Sequence, residues 1–522
     1  MSHGPAPSQP WTREDGIAAL ADERPWDLAV IGGGASGLGV ALEAASRGLR
    51  TLLVEAHDFA KGTSSRSTKL VHGGVRYMSQ GNIGLVRSAL RERARILANA
   101  PHVAHAQSFL LPVESQWQRL YYGFGLRAYD RLAGQLRLGA TESVGREQFI
   151  AMAPSVRHEH LVGAVMYTDG QFDDARLAIS LARSAVDHGA TLLNYVRVTG
   201  LHHEHGRVAG LQLHDVEGGG DYEIRARAVV NATGVFADTI RRLDDPAAAQ
   251  RLVASQGIHL VVPRSCMPCS SAIIWPKTHD GRVLFAVPWH GVVLIGTTDT
   301  PVAEASLEPR PLAEEVDYLF AHIAEYLDPV PTRADVLSVF AGLRPLVRAG
   351  GGRTAAMSRD HEVEVSPKGL VSILGGKWTT YRLMGEDTVD AAIAAASLTA
   401  GPSVTADLRL HGADGTDPIH GRSSAEVRSL MEATPDLSRR VHPDVDVTGA
   451  QVVYAARHEL ARTVEDILAR RSRALLLNAA ASVLAAPAVA DLLATELGRD
   501  AAWQQAQITA YTALAARYTL HP

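Results

Sequence analysis

An apolar run, Asp27 to Ile31, breaks into three glycines and continues through Ala35 and Ser36 to Gly37, after which an alanine-rich stretch runs from Val40 to Arg47. The glycines at 32, 34 and 37 form G-x-G-x-x-G between an expected strand and an expected helix. Few folds accept that order. Gly32 permits the tight turn, Gly34 lets the backbone approach a pyrophosphate, and Gly37 lets helix and strand pack closely, with the helix N-terminus facing the negative charge. A second expected strand, Thr51 to Val54, ends on Glu55. That acid stands about 20 residues on, where it binds the adenosine ribose hydroxyls. A bare glycine turn requires none of these flanking features, so the segment reads as a dinucleotide site.

The chain has 522 residues, too many for one core, and two or three domains are expected. Its net charge of −5 argues against a general nucleic-acid binder. The two cysteines, Cys266 and Cys269, form C-x-x-C without a second pair for zinc or a thioredoxin-like setting, so they read as two reduced thiols in a loop, and no metal site is expected. Met1 to Leu20 carries prolines and charges and no apolar signal-peptide core. The stretch Ala474 to Ala490 is interrupted by Asn478, Ser482 and Pro487, which weakens it as a membrane span. The expected place is inside the cell, free or lying on a membrane surface.

Along the chain, residues 1–24 read as a flexible lead. Residues 25–100, 171–256 and 343–400 carry alternating strands and helices and are expected to form one discontinuous nucleotide-binding domain. Residues 101–170, read as irregular, and 257–342, rich in strands, form a substrate or cap domain. Residues 173–188 read as an amphipathic helix, and Gly218-Gly219-Gly220 as a hairpin turn. Gly401 to Asp417 reads as a linker, and 420–522 as a helical C-terminal domain. The fold class is therefore α/β, Rossmann-type, with a β-rich second domain and a helical third.

Only one strand-linked fingerprint is present. Other glycine-rich segments, Thr63–Gly74, Gly296–Asp299 and Gly375–Thr380, suit further walls around one large cofactor. This favours FAD, reduced by the substrate itself, over NAD as sole cofactor.

The segment from Thr63 through Arg66, Lys69, His72, Gly73 and Gly74 to Arg76 and Tyr77 resembles a signature of the FAD-dependent glycerol-3-phosphate dehydrogenases. Gly375 to Arg382, with Lys377, Trp378 and Thr379, resembles a second. Val261–Arg264, Gly296–Asp299, Gly342–Leu346 and Ser358–Asp360 are similar in type and order. The resemblance covers about residues 25–400, and more loosely the C-terminal part through Thr463–Leu468 and Glu496–Gly498. It implies a glutathione-reductase-like FAD fold. It also implies oxidation of sn-glycerol 3-phosphate to dihydroxyacetone phosphate, with electrons passed to membrane quinone. The chain shows no calcium-loop pattern of the D-x-[DN]-x-[DN]-G type at its end, and lacks the long insertion typical of the peroxide-producing oxidases.

A phosphate dianion needs fixed cations, and the planar fork of arginine suits it best. Arg76, Arg359 and Lys377, with the hydroxyl of Tyr77, are the expected phosphate pocket. Arg344 is expected to orient the reacting hydroxyl. A base is wanted for its proton, and His72 and His259 are the candidates, with Lys377 beside them. The expected cofactor contacts are Gly32, Gly34, Gly37, Glu55, Ser64, Ser65, Thr68, His72, Gly73, Gly74, Gly234, Asp299, Gly376, Lys377 and Thr379. Trp117, Tyr121, Tyr122, Phe124 and Tyr129, interleaved with Arg119, Arg127 and Arg131, suit contact with the inner face of the cytoplasmic membrane, and a homodimer is left open. The rival readings are an amine or amino-acid oxidase on the same fold and a flavin-binding protein without turnover.

Overall fold

Leu28, Ala29 and Val30 are fully buried and Ile31 nearly so, as befits a strand covered on both faces. In the computed structural model, which describes residues 11–74, 82–276, 278, 281–348, 361–415, 417 and 420–520, this strand lies inside a sheet of eight. Across that sheet the order is His361–Val365, Leu370–Gly375, Asp221–Asn231, Trp26–Ile31, Thr51–Val54, Thr191–Leu193. All neighbours on this path are parallel except the hairpin of the first two. Val196–Glu204 and Arg207–Asp215 extend it as an antiparallel meander, and Gly218–Gly220 makes the turn into Asp221. One sheet is thus assembled from three widely separated stretches of chain.

The second sheet has ten strands. Its spine is Thr300–Val302, Leu252–Pro263, Val292–Gly296, Leu284–Trp289, Ala272–Trp275, Ala104–Val113, Gly163–Phe172 and Leu70–Val71, with Ser338–Val347 and Glu142–Gly145 paired alongside. Residues 101–170, expected to be irregular, therefore supply two long central strands and the helix Gln116–Ala133. The strand Ala104–Val113 gave no period-2 signal because His105 and Ala106 are exposed side by side while Phe109, Leu110 and Leu111 are buried in succession.

Two other expectations change. Residues 11–20 are packed: Trp11 is buried and donates its indole N–H to Leu192 O at 3.1 Å, Arg13 donates to Asp215 at 2.5 Å, and Arg13–Leu20 is helical. The helix Asp174–Asp187 has no exposed polar face, for every residue from Asp174 to Val186 is buried. Its polar side meets partners instead of water, with Arg176 on Glu459 and Ser180 on His102.

The stretch after Gly401 lies against the first domain, with Leu410 donating its N–H to Asn99 O at 2.8 Å. Beyond it the helices Ser424–Ala433, Gly449–His458, Ala479–Leu497 and Ala501–Ala515 pack together, with a short hairpin and a π-helical turn, Asp466–Arg471. By length and composition alone Ala479–Leu497 could cross a bilayer. Its alanine-rich row is instead buried in the core of this domain, along with Val489 and Leu493.

Buried ion pairs dock the C-terminal domain. Asp58 receives Arg470 Nε at 2.5 Å and Arg471 Nη1 at 2.7 Å, Arg176 meets Glu459 at 2.8 Å, and Arg473 Nε lies 2.7 Å from Asp173. Burial opposes the charged form of Glu459, yet Arg176 holds its carboxyl down at about 2. Burial likewise opposes, and Arg470 and Lys61 overcome, the same tendency at Glu465, also about 2. Burial pushes His57, His102 and His420 down to about 4, helped by Lys61 for the first and Arg176 for the others.

The signs add. Each depressed histidine contributes stability that is full above its unfolded value, about 6.5, and is lost as pH falls toward its folded value. Each depressed carboxylate contributes stability that is full above about 4.5 and is lost as pH falls through its folded value. The melting temperature is expected to be level above pH ~6.5, to fall below it, and to fall more steeply below ~4.5. Calorimetry across that range checks this, and a melting temperature that rises on acidification contradicts it.

Candidate cofactor and substrate site

The turn after the first strand is shaped for close approach. Gly32 has φ +106°, and a Cβ on Gly37 would stand 1.9 Å from the carbonyl oxygen of Gly32. The helix Ala35–Ser46 begins at Gly34 with no capping side chain at that position and no acid in its first turn. The hydroxyl of Ser64, from another loop, accepts the N–H of Ala35 at 2.9 Å. The positive end of the helix therefore faces a cavity of about 530 Å³, within the range for bound cofactors. Glu55 is on its wall, where one carboxylate oxygen accepts Gly33 N–H at 2.7 Å and the other His57 N–H at 2.9 Å. Burial raises the pKa of Glu55, and these bonds oppose the rise.

Of the expected cofactor contacts, Gly32, Gly34, Glu55, Ser64, Gly234, Gly376 and Lys377 line this cavity, and Gly37 packs beneath it. The helix N-terminus, the glycine cradle and the cavity volume fit a dinucleotide. Lys61, Thr63, Thr233 and Trp378 also line it and were not singled out as site residues. Trp378 was visible inside the second glycine-rich motif. Lys61 gave no signal, standing before an unremarkable glycine.

The two glycine-rich loops are tied to each other. Trp378 donates its indole N–H to Ser64 O at 2.9 Å, and His72 N–H donates to Thr379 Oγ1 at 3.3 Å. Several expected contacts serve protein partners. Ser65 is buried and its carbonyl accepts Lys69 Nζ at 2.7 Å. Gly73 N–H donates to Tyr129 Oη at 2.8 Å, and Gly74 makes a left-handed turn at φ +75°. Asp299 accepts the hydroxyl of Ser255 and a guanidinium N–H of Arg344 at 3.3 Å. The side chain of His72 is exposed, away from the cavity lining. Arg76, Tyr77 and Arg359 lie outside the described residues.

Arg344 stands on the strand Ser338–Val347, whose Pro345 lines the cavity. Its guanidinium reaches Thr297 Oγ1 at 3.1 Å and Thr298 O at 3.2 Å, which fixes the orientation of the fork. His259 lies on the adjacent strand, buried, with its ring stacked on Phe340 at 4.9 Å and Nε2 3.0 Å from Thr68 Oγ1. Burial, then the charges of Arg344 and Lys69, push His259 down to about 3, so it is neutral at pH 7. Lys69 is fully buried, with Nζ 2.8 Å from both oxygens of Asp174 and 5.0 Å from the centroid of a Trp289 ring. Asp174 also accepts the N–H and the hydroxyl of Ser67. One carboxylate thus holds the loop that presents Thr68 to His259.

Comparison with known proteins agrees with this geometry. The family described as FAD dependent oxidoreductase matches residues 27–391, and the C-terminal domain of alpha-glycerophosphate oxidase matches residues 403–505. A glycerol-3-phosphate dehydrogenase from Bacillus halodurans, solved in complex with FAD, superposes with a TM-score of 0.80 at 30% identity, covering 97% of both chains. The mitochondrial glycerol-3-phosphate dehydrogenase of Homo sapiens is 37% identical over 97% of this chain and 75% of its own. That of Arabidopsis thaliana is 37% identical over 94% of this chain and 86% of its own. Fold and cavity together define an FAD-dependent oxidoreductase with FAD as its cofactor. Within that class, the chain belongs to the FAD-dependent glycerol-3-phosphate dehydrogenase family.

Proposed function

We propose that this protein oxidises sn-glycerol 3-phosphate to dihydroxyacetone phosphate and delivers the electrons to a quinone in the cytoplasmic membrane. FAD, when bound, accepts the hydride that leaves C2 of the substrate. The observation that supports the reading is Arg344, held by Thr297 and Thr298 on the strand whose Pro345 lines the cavity, with buried, neutral His259 on the adjacent strand near enough to feel its charge. Arg344 steadies the C2 oxygen as its proton leaves. His259 takes that proton: burial chiefly holds its pKa down, and the incoming phosphate dianion offsets the added effect of the Arg344 and Lys69 charges. Lys377 binds the phosphate, together with Arg76, Tyr77 and Arg359, which the family resemblance assigns there.

The test is anaerobic. Adding glycerol 3-phosphate to the oxidised holoenzyme is expected to bleach the flavin absorbance within the mixing time, while amines and amino acids leave it unchanged. Bleaching by an amine alone would replace the substrate.

Support for membrane contact comes from the helix Gln116–Ala133. Trp117, Leu120, Tyr121 and Phe124 are 74%, 63%, 60% and 74% exposed, and their helical spacing places them on one side. Exposed Arg127 and Arg131 continue the stripe, as suits an anionic bilayer surface. Of the other aromatics considered, Tyr122 is half-buried and Tyr129 is in the core, bonded to Asp169. Replacing Trp117 and Phe124 together by serine is expected to release the protein from sedimenting anionic vesicles, with substrate-driven flavin bleaching intact. Undiminished sedimentation would move the contact elsewhere.

A further inference from the structure

The turn that closes the Glu55 end of the cavity takes its anchors from the far end of the chain. Between Glu55 and Gly62 the charged side chains are Asp58 and Lys61, and both reach the C-terminal domain. Lys61, on the cavity wall, donates to both oxygens of Glu465 at 2.7 and 2.6 Å. Asp58 holds Arg470 and Arg471. Arg470 in turn bridges Glu465 at 2.7 Å and Asp466 at 2.8 Å. Tyr195, whose N–H donates to His57 O at 2.9 Å, places its hydroxyl 2.7 Å from Asp466. The next residue, Val196, lines the cavity. The π-helical winding of Asp466–Arg471 allows the consecutive Arg470 and Arg471 to converge on the one carboxylate of Asp58.

We propose that Glu465–Arg471 positions the adenosine end of the FAD site, so that FAD binding and docking of the C-terminal domain are coupled. Glu465 and Arg470 are positioning residues: they act on the cofactor through Lys61 and Asp58. FAD ordering the turn from Glu55 to Lys61 presents Asp58 and Lys61 to their partners, and docked partners present an ordered turn to FAD. The coupling is reciprocal, so a change that loosens one loosens the other by the same factor. The proposal rests on FAD as the cofactor.

The experiment has two arms. In the first, apoprotein is titrated with FAD by fluorescence quenching. Glu465→Gln keeps the size and removes the charge, and is expected to weaken FAD about tenfold, a usual size for coupling between sites. Arg457→Ala, which breaks only the partly exposed Arg457–Glu496 pair of the same domain, is expected to leave the affinity unchanged. In the second, hydrogen exchange on the wild-type chain is expected to show residues 464–472 losing protection when FAD is removed, while Ala479–Leu497 keeps it. An unchanged affinity in folded Glu465→Gln, or equal exchange of 464–472 with and without FAD, overturns the proposal. If Glu465→Gln does not fold, the wild-type exchange decides alone. A wild-type chain that takes up no FAD fails the cofactor assignment itself, a result distinct from either.

Discussion

Gly37→Ala is expected to yield a protein that purifies without flavin. The added Cβ would sit 1.9 Å from Gly32 O and 3.4 Å from the Cβ of Ala232. The first contact is backbone, and Gly32 is itself held by its N–H to Val54 O at 2.9 Å, so the turn cannot simply swing aside. Relief requires the helix Ala35–Ser46 to lift from the strand, which carries its N-terminus away from the pyrophosphate position. Overpacking of this kind costs about 3 kcal/mol, or ~100-fold in affinity if it falls wholly on the bound state. The flavin-to-protein absorbance ratio reads this directly. Gly84→Ala is the control, because its Cβ meets nothing within 4 Å on the helix Ile83–Asn99. Full flavin content in Gly37→Ala would mean the motif is not the cofactor turn.

Asp174→Ala is expected to cost the most stability of any single change near the site. It leaves the ammonium of Lys69 buried without its counter-ion, at about 3–5 kcal/mol, and deprives Ser67 of the acceptor for its N–H and its hydroxyl. The expected result is a melting temperature lowered by several degrees. Pairing it with Lys69→Met removes the stranded charge and is expected to recover much of the loss. Flavin bleaching by substrate should stay slow in the double variant, because Thr68 is no longer held against His259. Equal recovery of stability and bleaching would show that the pair serves folding alone.

How much of this could be read from the residues differs by scale. The strand, turn, helix and acid of 27–55 announced the cofactor site because each local choice serves the same geometry. Strands read at about 191–201, 227–231 and 370–374 were also legible, although their adjacency was not, and the first is two strands, Thr191–Leu193 and Val196–Glu204. The long strands in 101–170 were hidden, since Gly163–Phe172 is covered on both faces along much of its length and gives no alternation. The anchoring of Asp58 was invisible: its partners lie 412 and 413 residues away, and nothing local distinguishes it from a solvated aspartate. The fifteen expected cofactor contacts came from loops read as walls, of which Gly296–Asp299 does not line the cavity, and polarity alone could not tell Ser64, which lines it, from Thr68, which faces His259.

The order in which the parallel sheet is threaded has a consequence for how the protein is made. The neighbours of Trp26–Ile31 come from 51–54 and 221–231, and the next strand out from 370–375. A ribosome has therefore synthesised most of the chain before that sheet can close, and the anchors of Asp58 emerge later still. The early strands wait with unpaired edges, a state exposed to aggregation and slow to resolve because the missing contacts are distant in sequence. The cavity, walled by 375–378 as well as by 31–36, is accordingly complete only late in synthesis.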